Sequence, residues 1–292
     1  MTIRCYPPKS FWFVSLRCLG ARFRLRPDAR RVDAFGYYLS RALAAHDGIR
    51  LFAVVQMSNH FHLVVQDTKA ELPYFMNRFE SALAKQINRI DQIRGPLFEG
   101  RFEPGEILDR TALLERIAYT VANPCASNLV GSCAEWPGIL RWAGDKKGTQ
   151  TFSKRYANGT TESFSLSVEP LNETDRITLA RMILLKLKEA RNKHLGKPPL
   201  GRRAVLAQDP FSAPESPKMG RPPSCYSTDG SLRDEHAASR RLLRQLHRAS
   251  SIRLRAGETD VEFPPYTFKP WVPVRPPTVK LPTGHKGSQA TC

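Results

Sequence analysis

The chain has no C-x-x-C pair. Its six cysteines, Cys5, Cys18, Cys125, Cys133, Cys225 and Cys292, follow no regular spacing, so neither a zinc knuckle nor a disulfide framework is indicated and reduced structural thiols are expected. No apolar run approaches the ~20 residues that a helix needs to cross a bilayer, and the opening "MTIRCYPPKS" lacks the apolar core of a signal peptide. The expected location is therefore the cytoplasm. Acidic residues are scarce: 27 Asp and Glu stand against 45 Lys and Arg, a formal charge of +18. A chain so basic ordinarily meets a polyanion, and nucleic acid is the expected partner, with no membrane. No internal repeat is visible.

What is present divides unevenly. Residues 1–145 carry 19 basic and 14 acidic side chains, and residues 146–292 carry 26 and 13. The prolines divide as 8 and 15, and the second half holds turn-rich pieces such as "DPFSAPESPKMGRPPS" and "KPWVPVRPPTVKLPTGHKG", which do not sustain helix or sheet. The reading is a compact domain over 1–145 and a basic, Pro-rich, partly disordered extension over 146–292, with helices near 174–195 and 231–253.

Within the compact half, "SFWFVSLRC" reads as a strand. "PDARRVDAFGYYLSRALAAHDG" reads as a helix closed by Gly48. "IRLFAVVQM" and "HFHLVVQ" are two apolar strands parted by "SN", a hairpin pattern. "ELPYFMNRFESALAKQINRI" is an amphipathic helix, with Leu72, Phe75, Phe79, Leu83 and Ile87 on one side. "FEPGEIL" is a strand, and Asp109 or Thr111 caps the helix "TALLERIAYTVAN", which Pro124 is expected to end. Strand, helix, strand, strand, helix, strand is the order of a ferredoxin-like α+β sandwich: an antiparallel sheet with helices packed on it. In the extension, "TDRITLARMILLKLKEARNKHLG" is a helix with a cap candidate at Thr174, and "SLRDEHAASRRLLRQLHRASSIRLR" is an arginine-rich one.

"MSNHFHLVV" sets His60 and His62 one residue apart on a strand. Alternation puts both imidazoles on one face, ~6–7 Å apart and able to converge on a divalent ion, while Phe61 enters the opposite layer. The ordinary alternative is a half-exposed strand face with polar residues. In "ERIAYTVANP", Tyr119 and Asn123 are spaced i, i+4 and share a helix face. Read alone, they also fit a packed aromatic and a helix-ending amide.

Together "MSNHFHLVV", "GPLFEGRFE" and "YTVANPCASNLVG" ahead of "EWP" resemble the REP-associated tyrosine transposases of the HUH single-tyrosine transposase family, over about residues 10–142. Relatives often carry a tryptophan near Leu97 and Phe98, while Arg101 and Phe102 match. The resemblance implies an HUH endonuclease fold in which His60 and His62 hold magnesium or manganese, with Asn123 as a third polar ligand. It implies that Tyr119 is the nucleophile, leaving a 5′-phosphotyrosine and a 3′-hydroxyl on single-stranded or hairpin DNA, at the bacterial nucleoid. Arg101 is the candidate phosphate contact, with a surface ion pair as the competing role. The resemblance leaves monomer and homodimer both open. Two other classes remain: a catalytically silent nucleic-acid-binding protein, and a zinc hydrolase, for which no H-E-x-x-H motif supplies a general base.

Overall fold

The computed structural model describes residues 4–145, 148–215 and 223–270. The first half runs β1 (Ser10–Arg17), α1 (Ala29–Ala44), β2 (Ile49–Gln56), β3 (His60–Asp67), α2 (Leu72–Asp91), β4 (Glu103–Ile107), α3 (Arg110–Ala126) and β5 (Leu140–Trp142). It continues with β6 (Gln150–Arg155), β7 (Thr161–Leu166), α4 (Glu173–Lys193), α5 (Arg202–Ala207), β8 (Cys225–Tyr226) and α6 (Gly230–Arg255).

The sheet order β5-β2-β3-β1-β4-β8 contains the four ferredoxin-like strands in the middle, all antiparallel, with a short strand added at each edge. Strand β8 joins β4 in parallel. The fold is thus α+β, an antiparallel ferredoxin-like sheet with helices packed on both faces.

Side-chain alternation sorts the sheet into two layers. Trp12, Val14 and Leu16 of β1 and Phe61, Leu63 and Val65 of β3 bury against Phe35 and Leu39 of α1 and Phe75, Phe79 and Leu83 of α2. Phe13 and Val64 point the other way, toward Leu113, Leu114, Ile117 and Val121 of α3 and Leu179 of α4. A register shift in β2 between Leu51 and Ala53 lets Leu51 and Val54 join the first layer and Ala53 the second, the re-aiming that a bulge produces.

Helix starts follow side-chain chemistry. Asp28 and Asp109 accept hydrogen bonds from Arg31 N and Ala112 N, satisfying orphan donors at the starts of α1 and α3. For α4 the cap is Asn172, which accepts from Asp175 N, two residues before the expected Thr174. Pro124 does not end α3. The helix runs on to Ala126, because the ring costs one intrahelical bond while Ser127 N still reaches Asn123 O.

The two expected extension helices are α4 and α6. Between them and the first half lies a hairpin, β6–β7, that the sequence reading did not contain. Its tight turn holds Gly159 at φ 84° after Asn158, and Phe152 buries against α1. Parts of the two proline-rich pieces, 216–222 and 271–292, lie outside the described residues. Among the described residues, no helix is long and apolar enough to cross a membrane.

Candidate metal and tyrosine site

His60 opens β3 and His62 follows one pleat later; across the ladder they oppose Arg17 and Ser15 of β1. Both imidazoles lie on the α3 side of the sheet, their ring centroids 4.8 Å apart, while Phe61 between them is fully buried in the α1–α2 layer. Burial of Phe61 sets which way the histidines face, since a one-residue slip would turn every side chain over.

His62 is buried, stacked on Phe13 at 4.9 Å. Its pKa is held well below the ordinary imidazole value, first by loss of solvent and then by the like charges of His60, Arg116 and Arg17. The ring is therefore neutral at physiological pH, the form that binds metal. His60 Nδ1 is 2.7 Å from Asn59 Oδ1, and Asn59 Nδ2 donates to the carbonyl of Ala21. An amide oxygen only accepts, so the ring proton sits on Nδ1 and the lone pair on Nε2.

Helix α3 supplies the other side. The Tyr119 ring lies 5.6 Å from His62 and 5.7 Å from Phe13, edge-on to each, and the residue is partly exposed. One turn on, Asn123 is buried, and its Oδ1 has no hydrogen-bond partner; neither has His62 Nδ1. Two buried polar atoms left unsatisfied cost ~1–3 kcal/mol each unless something fills their valence. His62 lies beside a second imidazole, a pairing that fits a cation. Among the described residues, no group of three or more His, Cys, Asp and Glu side chains converges. The Asn123 amide oxygen, one helix turn from Tyr119, is a neutral group that could serve as a further donor. Neutral donors leave the charge of a divalent ion undiminished toward an incoming phosphate.

Arg101 is exposed just ahead of β4. Its charge acts on Tyr6, whereas those acting on His62 are His60, Arg116 and Arg17. The structure thus brings His60, His62 and Tyr119 together, sets Asn123 one helix turn beyond Tyr119, and leaves Arg101 exposed ahead of β4.

Three residues that the sequence reading did not single out join the site. The Arg116 guanidinium lies 5.1 Å from the Tyr119 ring centroid, 4.6 Å from that of Tyr226 and 5.8 Å from that of Phe13. Its spacing of i−3 from Tyr119 was a readable signal. Tyr226 arrives on the edge strand β8, and burial pushes its phenol pKa up. Glu103 pairs with Ser15 from the side opposite His62, which puts its side chain on the same sheet face two strands away, ~10 Å off.

No family model and no curated protein matches the chain. Among solved structures it is similar to a REP-associated tyrosine transposase bound to a REP hairpin, with TM-score 0.38 and 17% identity over 54% of this chain and 94% of that one. It is also similar to the tRNA(His) guanylyltransferase of Saccharomyces cerevisiae, with TM-score 0.34 and 10% identity over 44% and 64%. A bacterial tRNA(His) guanylyltransferase-like protein in complex with GTP gives TM-score 0.35 and 10% identity over 62% and 92%. These are distant likenesses, and the fold assignment stands on the strand order above.

Proposed function

We propose that the chain is a metal-dependent DNA strand-transfer enzyme of the HUH single-tyrosine type, acting on hairpin or single-stranded DNA. The observation that carries this reading is the meeting of two elements. A buried, neutral His62 stands between His60 on the same strand and a phenol from α3, with ring centroids 4.8 and 5.6 Å away, and His62 Nδ1 and Asn123 Oδ1 both lack partners.

In this reading His60, His62 and Asn123 would hold magnesium or manganese. The bound ion would draw charge from the non-bridging oxygens of a DNA phosphate and favour in-line displacement. Tyr119, partly exposed beside His62, attacks phosphorus: the tyrosyl O–P bond forms, the P–O3′ bond breaks, and the phenolic proton passes to water. The departing 3′-oxygen takes a proton from solvent. The resulting 5′-phosphotyrosine keeps the energy of the broken linkage, so a later 3′-hydroxyl reverses the step and rejoins strands without a nucleotide cofactor. The positive charge of Arg116 beside the phenol favours the developing tyrosyl oxyanion. Arg101 is assigned to a phosphate outside the reacting linkage.

Incubation with labelled hairpin DNA and magnesium tests this reading. Wild type forms a covalent adduct, and Tyr119→Phe lowers its formation by ~10³-fold or more. Binding without any adduct would identify a silent DNA-binding protein instead, and adduct-free cleavage that requires zinc would identify a hydrolase.

A further inference from the structure

On the side of the sheet away from His62, the outward faces of α1 and α2 and strand β6 enclose a groove of about 320 Å³. Five cationic side chains line it, Arg41 from α1, Arg78, Lys85 and Arg89 from α2 and Lys154 from β6, with Tyr38 beside them and no carboxylate in its wall. None of the five enters a salt bridge among the described residues. Lys154 Nζ donates to Tyr38 Oη at 2.6 Å and lies 5.1 Å from the Tyr38 ring centroid, which fixes this ammonium at the groove. Arg89 reaches only the amide of Gln86, at 3.5 Å. One nearby carboxylate, Glu162, is influenced by Arg41 and Lys154 but already accepts hydrogen bonds from Tyr37 and Tyr156, 2.7 Å each. Asp33, with Arg30, lines an adjoining depression.

Gathering five like charges with one partly committed counter-charge is unfavourable until an anion arrives. The shape says which anion. From Arg78 through Lys85 to Arg89 is eleven steps along one helix, ~16 Å, much longer than one small anion and about the length of four or five base steps along a duplex strand. We propose that this groove is a second nucleic-acid site that holds the sugar-phosphate backbone of the bound DNA outside the linkage at Tyr119. The proposal rests on the reading above for the choice of DNA as the polyanion. Its contacts go to phosphate, so it contributes affinity and orientation without sequence preference.

The full-length chain and a fluorescent DNA hairpin, titrated between about 50 and 200 mM salt, provide the test. Arg78→Ala/Lys85→Ala/Arg89→Ala keeps good helix formers on α2 and reduces the log–log salt slope of binding by about two to three, near one per cation removed. Lys154→Glu, on a different element, reduces it by at least about one and guards against misfolding of the triple variant. Adduct formation at saturating DNA stays within about twofold of wild type, since the chemistry lies across the sheet. Unchanged slopes in both variants overturn the proposal. So does binding of polyglutamate as tight as that of the hairpin, which would assign the groove to an acidic peptide. Absence of any adduct in wild type would sink the transfer reading alone, because the binding arm does not depend on cleavage.

Discussion

At the scale of single residues, the account turns on donor atoms with nothing to bind. Asn123 Oδ1 and His62 Nδ1 are buried and unpartnered, and in the proposed reading a neutral amide in the third position would keep the full charge of a divalent ion available to phosphate. Asn123→Asp reverses that choice. Added negative charge tightens manganese binding about tenfold, ~1.4 kcal/mol, while adduct formation slows at saturating metal because phosphate then meets a less positive centre. Calorimetry with manganese alongside the adduct assay checks both directions; tighter binding with unchanged transfer would contradict the electrostatic argument. That the two imidazoles share a sheet face was legible in the sequence because a period of 2.0 assigns faces directly, whereas the phenol was singled out by the resemblance. Tyr226 was not, since it arrives from more than a hundred residues away on a strand of two residues, too short to show alternation.

At the scale of elements, the added pieces are the ones that local pattern failed to announce. Strands β5 and β8 have three and two residues; pairing to β2 and β4 creates them, so tertiary context decides where propensity is silent. The hairpin β6–β7 did carry a signal, Asn158-Gly159, a turn-forming pair that falls in the five-residue connection between the strands, with Gly159 at positive φ. Its seat on α1 explains a glycine in mid-helix: a β-carbon at Gly36 would run into the ring of Phe152. Gly36→Ala therefore sets two effects against each other. Helix propensity favours alanine by ~1 kcal/mol, but overpacking of a buried ring costs ~1–3 kcal/mol, so net destabilisation of ~1 kcal/mol is expected by urea denaturation. Stabilisation would mean that the hairpin does not sit on α1 in solution.

At the scale of the whole molecule, charge and support are distributed differently from chemistry. His60, His62, Tyr119 and Asn123 fall before residue 145, but α4 lies along α3, and Leu171 and Leu179 bury in the layer that positions Tyr119. We propose that the division near residue 145 separates chemistry from support. A fragment of residues 1–145 loses the burial of those two leucines, roughly 3–6 kcal/mol, a large part of the ~5–15 kcal/mol that holds a domain together. It should melt well below the full chain or fail to fold, as circular dichroism would record; equal melting temperatures would show that the extension carries no structural load. The excess charge of the second half was plain from composition, whereas the basic groove between α1 and α2 was not, because its five cations come from three elements whose adjacency only the fold creates.

The most direct measurement is the site of covalent attachment. After reaction with hairpin DNA and magnesium, nuclease and trypsin digestion followed by mass spectrometry should find a 5′-nucleotide on the peptide containing Tyr119 and on no other tyrosine, with the modification lost in His62→Ala. A nucleotide on a different residue, or attachment to Tyr119 that persists without His62 and without divalent metal, would contradict the account.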